Sequence, residues 1–148
     1  MSYDKEIHEF LLKHLTSIRK NDVKAYQNST SSDLTLYEWW VTPNRIDGLP
    51  FHEFMMEENK DHGRVFGSGV AGDFGDKPRS RFDLSNLSIQ RIGDTAIASY
   101  TLLISTATEE GVKVASHNES RVIIKMDGNW KVVHVHKSPN WQAPHLPS

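Results

Sequence analysis

The sequence predicts an α+β domain in which helices come first and an antiparallel sheet follows. Three observations carry that prediction. Apolar residues near the start recur at helical steps, β-forming segments crowd the second half, and Gly93-Asp94, Glu110-Gly111 and Asp127-Gly128 separate those segments as hairpin turns would.

From Tyr3 to about Lys20, the residues Ile7, Phe10, Leu11, Leu15 and Ile18 fall at steps of three and four, the stripe of a long amphipathic helix. Asn21 and Asp22 are good N-cap residues for a brief second helix in which Val23 and Tyr26 share a face. After the polar run Asn28 to Asp33, the segment Leu34 to Trp40 is rich in aromatic and β-forming residues and reads as a strand. Asp47-Gly48 marks a turn, and Pro50 suits the first turn of a helix whose Phe51, Phe54 and Met55 again sit at helical steps.

Between Asp61 and Arg81 come Gly63, Gly67, Gly69, Gly72, Gly75 and Pro78, too many breakers for regular structure. A loop of that length in a compact domain is more often functional or mobile than incidental. Within it, Gly67 to Gly72 has the glycine spacing of dinucleotide sites, but no helix follows to receive a pyrophosphate. Asp73-Phe74-Gly75 spells a kinase magnesium motif in a chain too short for a kinase fold. Both are coincidences. Beyond the loop, Asn86 to Ile92, Ala96 to Ser105, Val112 to Met126 and Trp130 to Lys137 read as strands, and an irregular tail with three prolines starts near Ser138.

Composition narrows the chemistry. At 148 residues the chain reads as a single domain over 1–148. Ile, Leu, Val and Phe supply 36 residues, enough for a folded core. A net charge of −2 and a pI near 6.4 give no basic excess for nucleic acid. The absence of cysteine excludes thiolate catalysis, disulfides and Cys-ligated metals. No stretch has the length or polarity pattern of a membrane span or signal peptide, so the expected location is cytoplasmic, with no membrane partner. Eight histidines stand out in such a chain.

A hairpin turning on Asp127 and Gly128 pairs Met126 with Asn129, and the same register carried onward pairs Arg121 with His134 and Glu119 with His136. That places Glu119, Arg121, His134 and His136 on one sheet face, with Val122, Ile124, Met126, Val133 and Val135 on the other. The strand Ala96 to Ser105 is also apolar on both sides. Helices suffice to cover one face, so the other calls for a second copy of the chain, and a homo-oligomer is expected.

The polar face then lies under the helices, in a pocket reached by Glu38, Tyr37, Trp40, His52 and Tyr100 as well as Arg121, His134 and His136. A guanidinium in mid-strand either pairs with a carboxylate, Glu38 or Glu119, or awaits an anionic ligand; both hold together in many pockets. His134 and His136 have the spacing of metal ligands, but no full ligand set is identifiable, and the better reading is hydrogen-bonding histidines with no metal and no cofactor. Glu38 beside a histidine has the ingredients of a general base. The aromatic residues Tyr37, Trp39, Trp40 and Trp141 suit a ligand site or an interface equally.

The segments LTLYEW from Leu34, IDGLPFHEF from Ile46 and ESRVIIKMDGNWKVVHVH from Glu119, followed by Ser138, resemble the association (hub) domain of calcium/calmodulin-dependent protein kinase II. The resemblance runs from Lys5 to about Pro144. It implies the cone-shaped, cystatin-like α+β roll of nuclear transport factor 2-like and SnoaL-like proteins. It implies a non-enzymatic domain that assembles as a homodimer or larger ring, with a polar pocket for a small carboxylate. Glu38, His52, Arg121, His134 and His136 fall on positions of the family motif, Arg121 as the pocket arginine. Thr101 stands where animal hub domains carry a second strand arginine, and the glycine-rich loop is longer than its hub counterpart. The chain reads as a free-standing hub. The same fold hosts isomerases, dehydratases and hydrolases, which leaves a small enzyme using Glu38 or a pocket histidine as the alternative.

Overall fold

The computed structural model describes residues 4–61 and 80–144. Nearly all of the glycine-rich loop expected at about 61–81, with its two dismissed motifs, lies outside the described residues.

Helix α1 spans Lys5–Arg19 and begins where the Asp4 carboxylate accepts from the Ile7 amide at 3.1 Å. Its stripe of Ile7, Leu11, Leu15 and Ile18 is buried as the spacing predicts, and His14 is buried on the same side. Helix α2 (Val23–Asn28) is capped by Asp22, which accepts from the Ala25 amide at 3.2 Å. Strand β1 (Thr30–Glu38) starts four residues before the expected Leu34, because Thr30 and Ser31 are buried and the polar run is itself extended.

Strand β2 (Thr42–Asp47) was not foreseen. It is polar, contains Pro43 and buries only Ile46, which a strand tolerates at the edge of a sheet, where one side of the backbone needs no ladder partner. Helix α3 (Leu49–Asp61) starts at the Asp47-Gly48 turn as expected but turns a different face inward. Leu49, His52 and Met56 are buried, whereas Phe51 and Phe54 are exposed. Counting apolar residues alone picked the wrong side, because the buried stripe includes a histidine that needs interior polar partners.

Strand β3 (Ser80–Ile92) also starts before its expected residue, Asn86. Asn86 sits at φ 55° within a bulge, where two residues of β3 oppose Tyr100 between the Ser85–Thr101 and Ser88–Ser99 pairs. Strands β4 (Thr95–Thr108), β5 (Gly111–Met126) and β6 (Asn129–Pro139) follow the predicted segments and their turns. At the last turn Asp127 and Gly128 both take positive φ, as a two-residue hairpin requires.

The strands form one six-stranded sheet in the order β2-β1-β6-β5-β4-β3. All neighbours are antiparallel except β1 and β6, which run parallel. The α+β class stands. The apolar sides of α1, α2 and α3 meet one face of this sheet in a core that includes Leu34, Leu36, Ala98, Leu102, Ile123 and Val132. No helix among the described residues is long and apolar enough to cross a membrane.

Register corrects the hairpin reading. Met126–Asn129 through Ile123–Val132 pair as predicted, but the next pair is Val122 with His134, so Val133 is an extra residue in β6. One added residue reverses the side-chain alternation from there on. Arg121 therefore pairs with Val135 and Glu119 with Lys137, and Val135 and Lys137 turn inward, while His134 and His136 turn outward.

Candidate functional site

Under the helices the sheet carries a buried, charged cluster. Alternation along β5 points His117, Glu119, Arg121 and Ile123 into the core. Tyr100 of β4 lies directly opposite Glu119. Its hydroxyl donates to Glu119 Oε1 at 2.6 Å and accepts from Arg121 Nη1 at 2.6 Å. Arg121 Nη1 also donates to Glu119 Oε1, and the other oxygen, Oε2, lies 2.6 Å from His117 Nε2. Arg121 is thus internally paired, with Glu119 as its partner, as one of the two sequence readings had it.

Lys137 joins this group to a second carboxylate. Because β6 lies between β1 and β5, Lys137 is the register partner of both Glu38 and Glu119. Its Nζ lies 3.4 Å from Glu38 Oε1 and 3.8 Å from Glu119 Oε2. On the far side of Glu38, His52 Nε2 approaches Oε1 at 3.4 Å, and His52 Nδ1 shares a hydrogen bond with the Tyr26 hydroxyl. His14 stacks on Tyr26 with ring centroids 5.2 Å apart and holds Ser29 Oγ at 2.7 Å through Nδ1. Two carboxylates and two cations, all buried, balance in charge.

The protonation states follow from that arrangement. Burial pushes the Glu119 carboxyl up, but Arg121, Lys137 and His117 together outweigh it and hold the group well below the usual carboxylate range. Glu38 is likewise lowered, its burial overcome by Lys137 and His52. Burial lowers His14 strongly, with Arg121 adding to it, and burial lowers His52 against the opposing pull of Glu38. Both imidazoles are therefore neutral at neutral pH. Burial raises the phenols of Tyr26 and Tyr100; burial lowers Arg121, but Glu119, Tyr100 and Tyr26 together outweigh it, and the affinity of Arg121 for its proton rises.

Of the residues singled out from sequence, Glu38, His52, Tyr100 and Arg121 come together here. Trp40 lies at the margin, half-buried, with the Lys137 ammonium 5.2 Å from its ring centroid and the His117 ring 5.5 Å away. Tyr37, His134 and His136 do not join them. Tyr37 alternates with the buried Leu36 and Glu38 and packs its ring beside His136 on the outer face. Thr101 also faces outward, where its hydroxyl donates to Asn118 at 2.7 Å, so the departure from an arginine there does not alter the inner cluster.

Sequence reasoning passed over His14, Tyr26, His117 and Lys137. His14 carried a signal, since it stands three residues after Leu11 and four before Ile18 on the buried stripe of α1. Lys137 carried none without knowledge of the bulge. Three polar nitrogens of this region are buried without a hydrogen-bond partner among the described residues: Arg121 Nε, His14 Nε2 and Trp40 Nε1. No cluster of three or more His, Asp or Glu among the described residues has a metal-holding arrangement.

The family model described as the calcium/calmodulin dependent protein kinase II association domain matches residues 3–67 and 69–141. Calcium/calmodulin-dependent protein kinase type II of Caenorhabditis elegans is 27% identical over 126 residues, which cover 84% of this chain and 15% of the kinase. The chain spans less than a quarter of the length of the curated relatives it matches. The solved association domain of the C. elegans kinase superposes with a TM-score of 0.73 at 26% identity, covering 90% of this chain and 93% of that one. A nuclear transport factor 2-like superfamily protein from Salmonella enterica superposes with a TM-score of 0.62 at 19% identity, covering 94% of this chain and 92% of that one, a likeness of fold alone.

Proposed function

Since the chain belongs to the calcium/calmodulin-dependent protein kinase II association-domain family, we propose that it is a self-associating, hub-like domain whose outer sheet face meets a second copy. The observation that supports this reading is the apolar content of that face. Ile97, Val112, Val114 and Met126 are exposed there, and Val122, Ile124 and Leu103 are only partly covered. The helices of the described residues pack on the opposite side. Exposed apolar surface of this kind is removed from water by association. Light scattering on a sizing column tests it: a dimer or larger assembly at micromolar concentration is expected, and a monomer there would end the reading.

The buried cluster is the proposed site for a small anionic ligand such as a carboxylate. Arg121 Nε and His14 Nε2 support it, being buried nitrogens without a partner among the described residues. Because Glu119 already neutralises Arg121, the ligand would add to the pair rather than replace a missing counter-ion. Titration calorimetry with small carboxylates on wild type and Arg121→Lys is the test, and equal affinities for both would remove the guanidinium as the anchor.

A small enzyme is the second reading. The chain of contacts Tyr26–His52–Glu38 has the form of an acid–base relay. Lys137 and His52 lower the basicity of Glu38, which makes it a weak base near neutral pH and keeps this reading behind the first.

A further inference from the structure

The histidines that the bulge turns outward remain without a role in the buried cluster. His134 and His136 stand two apart on β6, so their rings project from the same side of the sheet. β1 lies parallel beside them and fixes both. Thr35 is the register partner of His134, and Tyr37 of His136. His134 Nδ1 lies 2.7 Å from Thr35 Oγ1, and Tyr37 flanks His136 with ring centroids 5.0 Å apart. When the Nδ1–H donates to Thr35, Nε2 carries the free lone pair, the arrangement that orients metal-bound imidazoles.

We propose that His134 and His136 form half of a site for zinc or a similar divalent transition metal, completed by the same pair from a second copy of the chain. Two imidazoles are too few for a structural zinc, which takes four ligands. A two-fold assembly doubles every residue near its axis. The pair belongs to β6, one of the two central strands of the six, so face-to-face packing through the sheet centre sets the two pairs against each other. The nearby cation, Arg45, is itself held by Asp47 at 2.5 Å from Nε to Oδ1.

This inference rests on the self-association proposed above through the outer sheet face, and one experiment separates the two. The full chain is run by light scattering over a concentration series, once with EDTA and once with zinc chloride, alongside His134→Ala/His136→Ala. Zinc should lower the concentration for half-assembly of the wild type by about tenfold or more. Calorimetry should find one zinc bound per two chains. The double variant should assemble as the wild type does in EDTA and ignore zinc, and Thr35→Val should weaken zinc binding by about tenfold. Wild type that assembles equally in zinc and EDTA, one zinc per chain, or a double variant that still responds would each overturn the metal site while leaving self-association intact. A chain that stays monomeric in both conditions would overturn self-association, and the shared site with it.

Discussion

The two faces of the sheet are built from the same strands and solve opposite problems. The inner face buries two carboxylates, an arginine and a lysine, and stabilises them through one another and through Tyr100, His117 and His52. The outer face leaves aliphatic side chains in water and spaces them with Ser99, Thr101, Asn118 and Ser120. Charge is therefore concentrated where a helix covers it, and apolar surface is displayed where no helix among the described residues does. A substitution should consequently be felt as lost stability on one face and as lost association on the other.

The sharpest break of that contrast is Arg121→Met. It leaves Glu119 buried with Lys137, His117 and the Tyr100 hydroxyl to hold it, and removing one partner of a buried ion pair costs about 3–5 kcal/mol. Urea denaturation should show the loss, and a change under about 1 kcal/mol would mean the cluster is wetter than its burial indicates.

Acid should act next, through the buried groups of the inner face. His14 and His52 have folded pKa values below 6.5, so the unfolded chain binds more protons as pH falls through that value. Their contribution is complete above about pH 6.5 and is lost below it. Glu38 and Glu119, lowered from 4.5, add a second loss of the same sign as pH drops through the carboxylate range. Denaturation midpoints across pH should therefore fall in two stages. His14→Leu should flatten the upper stage, with Ser29 Oγ retaining its bond to the Tyr26 carbonyl.

Tyr26→Phe probes one link of the cluster. It strips His52 Nδ1 of its buried partner and should cost about 1–3 kcal/mol, read from the same denaturation curves. The smallest change in stability is expected for Ile97→Lys on the outer face, within about 0.5 kcal/mol in the single chain. Sedimentation should nevertheless show that variant dissociating at concentrations where the wild type stays associated.

The order of helices and strands was legible because periodicity and turn dipeptides are local signals. The stripe of α1 and the Asp127-Gly128 hairpin need only a few neighbouring residues to be recognised. Two kinds of element escaped. Strand β2 has almost no apolar pattern, since an edge strand owes its place to backbone bonding with β1 rather than to burial. The inward side of α3 depends on His52 meeting Tyr26 and Glu38, partners distant in sequence. At the site, Arg121, Glu38, Tyr100 and His52 were legible and lie close together, yet Lys137 was missed and two histidines were assigned to the wrong side. A single cause underlies both errors at β6: strand parity was carried past Val133 unbroken.

That extra residue behaves like a frameshift written in space. Deleting Val133 would leave the two sides as they are, whereas taking it into the ladder would restore uninterrupted alternation and exchange the contents of the two sides beyond it. Lys137 would leave the interior, stranding Glu38 and Glu119 without their shared cation, and a histidine would enter in its place. In this chain the division between what is kept dry and what is offered outward hangs on one residue of one strand being left out of the ladder.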